Sequence, residues 1–276
     1  MNALRSREVL EGFDLSVDKE EATQAFLSTM PKAYAEAFAP ADVREHAAIV
    51  ARRGRRPIHA ELWRTLPGGT EILCVVADDR PGLLSDICEA LVGERMEVTT
   101  AQVHCRTRED GQREAVDLFW LRRRASGGAI HGLTPEDVER VALRLSSPLS
   151  AANDTREGTD PGRYVSSFPR NPIPAPRAFF NTNSLRRGEY VLVVEATDFP
   201  GLLSAVTSAL AASGVEITAS DIRTDDWLAR DCFTLRDPSG APLTPDRLSA
   251  IRQAVVKAIR LESERPTAPP SSDPGK

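Results

Sequence analysis

The sequence predicts an α+β protein: two ferredoxin-like βαββαβ units in tandem, preceded by a short helical region. Three observations carry this. First, the chain repeats itself, since "DDRPGLLS" at 78–85 returns as "TDFPGLLS" at 197–204. Ile72–Val103 lies over Val191–Ile222 without a gap, and Leu73, Val75, Ala77, Asp79, Ala90, Leu91, Glu97 and Thr99 each recur as the same residue. A repeat on this scale decides the architecture before any single element does. Second, both copies pass in the same order from short apolar runs to stripes of helical period and back. Third, 276 residues with 41% hydrophobic and 27% charged content suit about two ordinary soluble domains.

The first region, 1–69, reads helical. "KEEATQAFLSTM" is followed by "PKAYAEAFAPADVREHAAIVARRG", in which Val43, Ala47 and Val50 fall at i, i+4 and i+7. Asp42 lies where a helix would start and Gly54 where it would stop. "LPGG" at 66–69 then marks a turn.

The first unit is assigned to 70–182. "TEILCVVAD" is a largely buried strand, and after Pro81–Gly82 an amphipathic helix follows, with Leu84, Ile87, Cys88 and Leu91 on one face. "MEVTTAQVHC" and "EAVDLFWLRR" are strands two and three across the turn "REDGQ". "TPEDVERVALRL" opens a second helix with Thr134 as N-cap and Pro135 at the first helical position. Residues 146–174 are rich in Ser, Pro, Asn and Arg and read as a linker-like insertion, after which "APRAFFN" (175–181) is a short strand closing the unit. Two crossovers of this kind make an antiparallel sheet backed by two helices.

The second unit, 188–262, repeats the plan. It has a strand at Tyr190–Ala196, a helix at Pro200–Ser213, strands in "GVEITASDIRT" and "WLARDCFTLRD", and a Thr-Pro-initiated helix in "TPDRLSAIRQAVVKAI". It lacks a final strand of its own, so its exposed sheet edge is expected to pair within or between chains. Residues 263–276 form a Pro/Ser-rich tail of disordered type.

The repeated corner has a chemistry. Pro81 and Pro200 have no amide hydrogen, and Gly82 and Gly201 have no Cβ, which lets a ligand or a backbone approach. The free amides of the first helical turn attract an anion such as a carboxylate. Asp79 or Arg80 would sit at the N-cap, and an Asp beside those amides suits an ammonium. Such a corner offers a place to both ends of an α-amino acid, with Leu83 and Leu84 as apolar wall. Its plainer reading is a well-capped turn, and the two roles are compatible.

These motifs resemble the ACT domain, a small regulatory module that binds amino acids. The ordered set "MPKAYAEAFAPADVREHAAIV", "VADDRPGLL", "RAFFNTNS…YVLVVEATDFPGLL" and "RDCFTLRDPSGAPLTPDRL" is similar to the C-terminal part of bacterial PII-uridylyltransferases, over roughly residues 20 to 262. The resemblance implies a tandem ACT pair that senses glutamine or another amino acid. It also implies side-by-side pairing of the ACT units and a nucleotidyltransferase or PII-type protein as partner. Many ACT domains carry an Asn where strand two begins; here Glu97 and Glu216 stand there. The ligand-binding set is therefore Asp79, Arg80, Pro81, Gly82, Leu83, Leu84 and Glu97 in the first copy. In the second it is Asp198, Phe199, Pro200, Gly201, Leu202, Leu203 and Glu216.

Nothing in the sequence resembles the catalytic domains of that family. His46 and His59 stand alone and no His-Asp doublet occurs, so no catalytic residue, metal site or cofactor is assigned. His104 and His131 are read as solvated near a strand end and a loop. The charge runs "RRGRR" (52–56) and "RRR" (122–124) are read as solvated faces or partner contacts. A net charge of −5 argues against general nucleic-acid binding. The apolar runs are too short for a bilayer. The opening "MNALRSREVLEGFD" lacks the apolar region of an export signal, and Cys74, Cys88, Cys105 and Cys232 lack metal or disulfide spacing. A cytoplasmic location is expected. Function is then expected to be a non-catalytic amino-acid sensor. The alternatives are a detached C-terminal portion of a PII-uridylyltransferase, which needs separate catalytic domains, and a dimerisation scaffold with empty pockets.

Overall fold

Ile72–Ala77 is apolar at every position, which suits a strand covered on both faces, and the fold is built around it. The structure, a computed structural model, describes residues 15–124, 130–146, 175–181, 188–225 and 227–264. The N-terminal helices are α1 (Leu15–Thr29), α2 (Lys32–Ala37) and α3 (Pro40–Arg53). The first copy comprises β1 (Ile58–Leu66), β2 (Thr70–Asp78), α4 (Leu83–Gly93), β3 (Met96–Thr107), β4 (Arg113–Arg124), β5 (Ile130–His131) and α5 (Pro135–Ser146). The second comprises β6 (Arg177–Asn181), β7 (Tyr190–Thr197), α6 (Leu202–Ala212), β8 (Glu216–Asp225), β9 (Leu228–Arg236) and α7 (Pro245–Ser263).

All the strands join one sheet in the order β1-β2-β4-β3-β8-β9-β7-β6, with β5 added beside β4. Every pairing is antiparallel. The copies meet at β3 and β8, where Gln102 lies opposite Asp221, its own counterpart in the repeat. An approximate two-fold axis therefore passes through that pair. The expected side-by-side pairing of units thus occurs within the chain.

Alternation along the strands separates two cores. Leu73, Val75 and Ala77 of β2 join one apolar core with α4, α5, α6 and α7 that runs through both copies. Cys74 and Val76, pointing the other way, pack with Phe26, Met30, Tyr34, Val43 and Ile49 of the N-terminal helices. The helix starts follow the sequence signals. Thr134 and Asp137 bond reciprocally at the start of α5, Thr244 accepts from the Arg247 amide, and Asp42 accepts from the Ala39 amide.

The α+β class with an antiparallel sheet and helices on one face of both copies is as expected, but the source of each outer strand differs. Residues 58–66 are a strand, not helix, and β1 pairs with β2 from Leu66↔Thr70 to Ile58↔Ala77. Residues 177–181 do not close the first copy, because β6 pairs with β7. In each copy the slot beside the first strand of the repeat is thus filled by the segment preceding it. The second copy therefore has its own outer strand. A hairpin partner a few residues away is reached at less entropic cost than a sheet edge across a long connection. The 147–174 part of the insertion and 265–276 of the tail lie outside the described residues. Among the described residues, no helix is long and apolar enough to cross a membrane.

Candidate functional site

Both repeated corners form in the same way. The strand ladder runs one residue past β2, with the Asp79 amide donating to the Arg113 carbonyl at 3.0 Å. The chain then turns through Pro81 and reaches Gly82 at φ 79°, a left-handed conformation that a side chain would strain. Gly82 is the N-cap, so α4 begins at Leu83, later than the expected start at Pro81, and no side chain caps it. Gly201 does the same for α6 at φ 92°. A Cβ on Gly82 would lie 3.9 Å from the Ala211 Cβ of α6, so the first corner faces the second copy closely.

A cleft of ≈ 80 Å³ opens at that junction. Asp79 through Ser85 form one wall, while Ala211 and Val215–Ile217 of the second copy form the other. Polar groups lie along its rim and base. The Asp79 carboxylate accepts from Arg113 Nη2 at 2.8 Å and from the Cys105 thiol at 3.0 Å. Arg113 Nη1 reaches Glu216 Oε2 at 3.0 Å, and Arg236 donates to the same oxygen. Charges of alternating sign thus run Asp79–Arg113–Glu216–Arg236 across the junction. Burial works against ionisation of Glu216, but Arg236 and Arg113 hold its carboxyl below the usual range. Burial, then the Asp79 carboxylate, pushes the Cys105 thiol up to about 12, so it acts as a donor and not as a nucleophile.

Asp117 of β4 also lines this cleft and is 1% exposed. It lies between Ala115 and Phe119 on the helix-facing side of the strand, opposite Val103. Its Oδ1 has no hydrogen-bond partner. Burial pushes its carboxyl well above the usual range, opposed by a bond from the His104 backbone and reinforced by the charge of Asp79.

The second corner is built differently. The Asp198 amide donates to the carbonyl of Trp227, so a tryptophan stands where the first copy has Arg113. Phe199 replaces Arg80, which at the first corner is tied to Asp86 at 2.5 Å. Glu262, from the far end of α7, brings Oε1 within 3.5 Å of where a Cβ on Gly201 would be. Pro200, Leu202 and Leu203 keep their places, and Leu202 is buried. The cleft therefore brings together Asp79, Arg80, Pro81, Gly82, Leu83, Leu84 and Glu216, whereas Glu97 and Asp198–Leu203 do not line it. Glu216 serves the first corner, not that of its own copy.

Sequence reasoning missed Arg113, Cys105 and Asp117. The aspartate had a signal: "AVDLF" (115–119) and "ARDCF" (229–233) both set an Asp in the middle of an apolar alternation. Asp231, its counterpart, is 2% exposed with Oδ1 also unpartnered. His104 is likewise not solvated. It is 8% exposed and meets Tyr34 edge-on with ring centroids 5.1 Å apart. Among the described residues, no cluster of His, Cys, Asp and Glu is arranged to hold a metal ion.

A corner turned by Pro-Gly into an uncapped helix, on units joined side by side by their second strands, defines the class. Residues 190–252 match the ACT domain family. That stretch spans most of the second copy, and the first half of the chain repeats the same elements. The particular relatives are uridylyltransferases. A bifunctional uridylyltransferase/uridylyl-removing enzyme of Gluconobacter oxydans is 30% identical over 80% of this chain and 22% of its own length. One from Phenylobacterium zucineum is 28% identical over 93% of this chain and 27% of its own. The chain is similar to the C-terminal region of these enzymes. The chain spans about a quarter of the length of the curated relatives it matches. Among solved structures, an aspartate kinase from Synechocystis is similar over 67% of this chain and 27% of its own, at 13% identity and a TM-score of 0.34.

Proposed function

We propose that this chain is a non-catalytic sensor of the tandem ACT type that binds an amino acid in the cleft between its two copies. The observation that carries the reading is the cleft at the first corner. The uncapped N-terminus of α4 suits a carboxylate, and the opposite wall comes from the second copy. A ligand there would report on how the copies sit together. The ligand-binding set is Asp79–Leu84 with Glu216; the second corner, with Trp227 and Glu262 beside it, is the lesser candidate. Nitrogen signalling is the setting the relatives suggest, with glutamine the first amino acid to try and a cytoplasmic location. A nucleotidyltransferase or a PII-type protein is the partner this reading calls for.

A thermal-shift screen of the purified chain against the twenty amino acids tests this, with Gly82→Ala and Gly201→Ala alongside. A ligand that binds the folded state raises the melting temperature by mass action. The expected result is a rise for one or a few amino acids that Gly82→Ala abolishes. No rise for any of them would leave a dimerisation scaffold with an empty cleft.

A second reading is favoured by the span of the similarity, which covers most of this chain but a minor part of each relative. On that reading the chain works as the C-terminal portion of a PII-uridylyltransferase and acts only with the catalytic part supplied. The purified chain should then transfer no uridylyl group to a PII-type protein. Measurable turnover by the chain alone would overturn both readings.

A further inference from the structure

We infer that Asp117 receives the ammonium group of the amino acid bound in the cleft, and so makes the site selective for ligands carrying a free α-amino group. The inference rests on the proposed reading of the cleft and names the residue that sets its specificity.

The expected ammonium acceptor, Asp79, is already engaged. One of its oxygens takes Arg113 and the Cys105 thiol together, and Arg113 is shared with Glu216. A ligand ammonium placed there would compete for that carboxylate with a guanidinium already held by two acids. Glu216 is no better placed, since two arginines share its carboxylate. Asp117 differs from both. It is deeper, 1% exposed, and keeps an oxygen with no partner in a cleft it lines.

A buried polar atom without a partner costs free energy, and native structures carry few of them. An apolar residue on this helix-facing row, like Ala115 and Phe119 on either side, would avoid that cost. Yet Asp231 places the same group at the same position of the second copy, again with a free oxygen. Asp117, unlike Asp231, lines the cleft, so there the missing partner can arrive with the ligand. A compact cation with several N–H donors takes the place of the proton that burial favours on this carboxyl, the proton leaving to solvent, and the uncapped end of α4 is left for the ligand's carboxylate. The two ends of a zwitterion then lie on two different elements, β4 and α4. At the second corner no arginine stands at the Arg113 position and Glu262 reaches over Gly201, so Asp231 serves there as the internal control.

The test is isothermal titration of the full chain with each of the twenty amino acids. Each one that binds is repeated as its 2-deaminated acid, glutaramic acid in the case of glutamine. Unmodified, Asp117→Asn and Asp231→Asn chains are compared. Hydrogen bonds to charged groups in a desolvated site suggest a loss of roughly 10- to 100-fold. The expected result is that removing the ligand's amino group weakens binding to the unmodified chain by that factor. Asp117→Asn should weaken the amino acid equally and leave its deaminated acid unchanged, while Asp231→Asn alters neither. A structural role for Asp117 would lower both ligands together, and that result overturns the inference. So does equal affinity of the unmodified chain for the two ligands, a comparison that needs no variant to fold. If no amino acid binds the unmodified chain, the reading of the cleft itself falls, and the inference with it.

Discussion

Asp231 occupies in β9 the place that Asp117 occupies in β4: each faces the helices, opposite Ile222 and Val103 respectively, and each buries an unpartnered Oδ1. Two acids on the core side of one sheet make stability depend on pH in a direction unusual for carboxylates.

For Asp231, burial raises the carboxyl from 3.8 to about 8, with the Arg223 backbone bond opposing and the charges of Asp198 and Asp221 adding. The folded state thus holds a proton that the unfolded chain gives up near pH 4. Stability from this group is complete below that point and is lost as pH rises toward 8, by about 1.4 kcal/mol per pH unit at most. Asp231→Asn keeps the shape and has no proton to lose. It should match the unmodified chain near pH 4 and exceed it at pH 8 by a few kcal/mol, on the order of the linkage. Urea midpoints at the two pH values check this; equal midpoints at pH 8 would show that the carboxyl ionises freely in the fold.

His46 and His104 work in the opposite sense. Burial lowers both from 6.5 to about 4, and each leaves its Nε2 unpartnered in the aromatic cluster with Tyr34, Phe38 and Trp63. The folded state keeps them neutral, so stability is present above pH 6.5 and drains away as pH falls toward 4. Each contributes about 3 kcal/mol of acid sensitivity at most. Melting temperatures between pH 7 and 4 should fall more steeply for the unmodified chain than for His104→Leu. A parallel pair of curves would remove His104 from the account.

Arg53 is 2% exposed and joins three elements. It donates to the Asp78 carboxylate at 2.5 Å, to the Pro57 carbonyl at 3.1 Å and to the buried Glu114. Arg53→Met leaves Glu114 with Arg106 as its near partner and should cost about 3 kcal/mol, the scale for breaking a buried pair on one side. Arg53→Met with Glu114→Gln should recover part of that loss. Guanidinium denaturation of the single and double variants measures it, and a single variant as stable as the parent would make the pair ornamental.

Where the repeat supplied two copies to compare, the fold was legible. Strands and helices from Thr70 to Thr107 could be checked against Tyr190 to Asp225, and they form as read, except that Gly82 and Gly201, not the residues before the prolines, stand at the helix N-caps. The failures share a cause, which is that pairing partners are not written locally. In "IHAELWRTL" neither period is clean, because β1 is half-buried along most of its length. "APRAFFN" shows its strand character but not which sheet edge it joins. The site follows the same rule. Asp79–Leu84 were visible as a motif, whereas Arg113 enters through the strand register and Glu216 through the packing of one copy on the other. Arg53, read as part of a solvated charge run, is buried because Asp78 and Glu114 converge on it from two strands.

The β3–β8 seam has a further consequence. A cleft with one wall from each of two separate molecules would exist only to the extent that they associate, and its affinity would fall on dilution. Here both walls belong to one polypeptide, so the encounter is intramolecular and its effective concentration is set by the connection. The response of such a site should be the same in dilute and crowded solution. Covalent fusion also frees the halves from identity. A dimer of equal chains must carry two equal clefts, whereas this chain carries Arg113 on one side of its axis and Trp227 on the other.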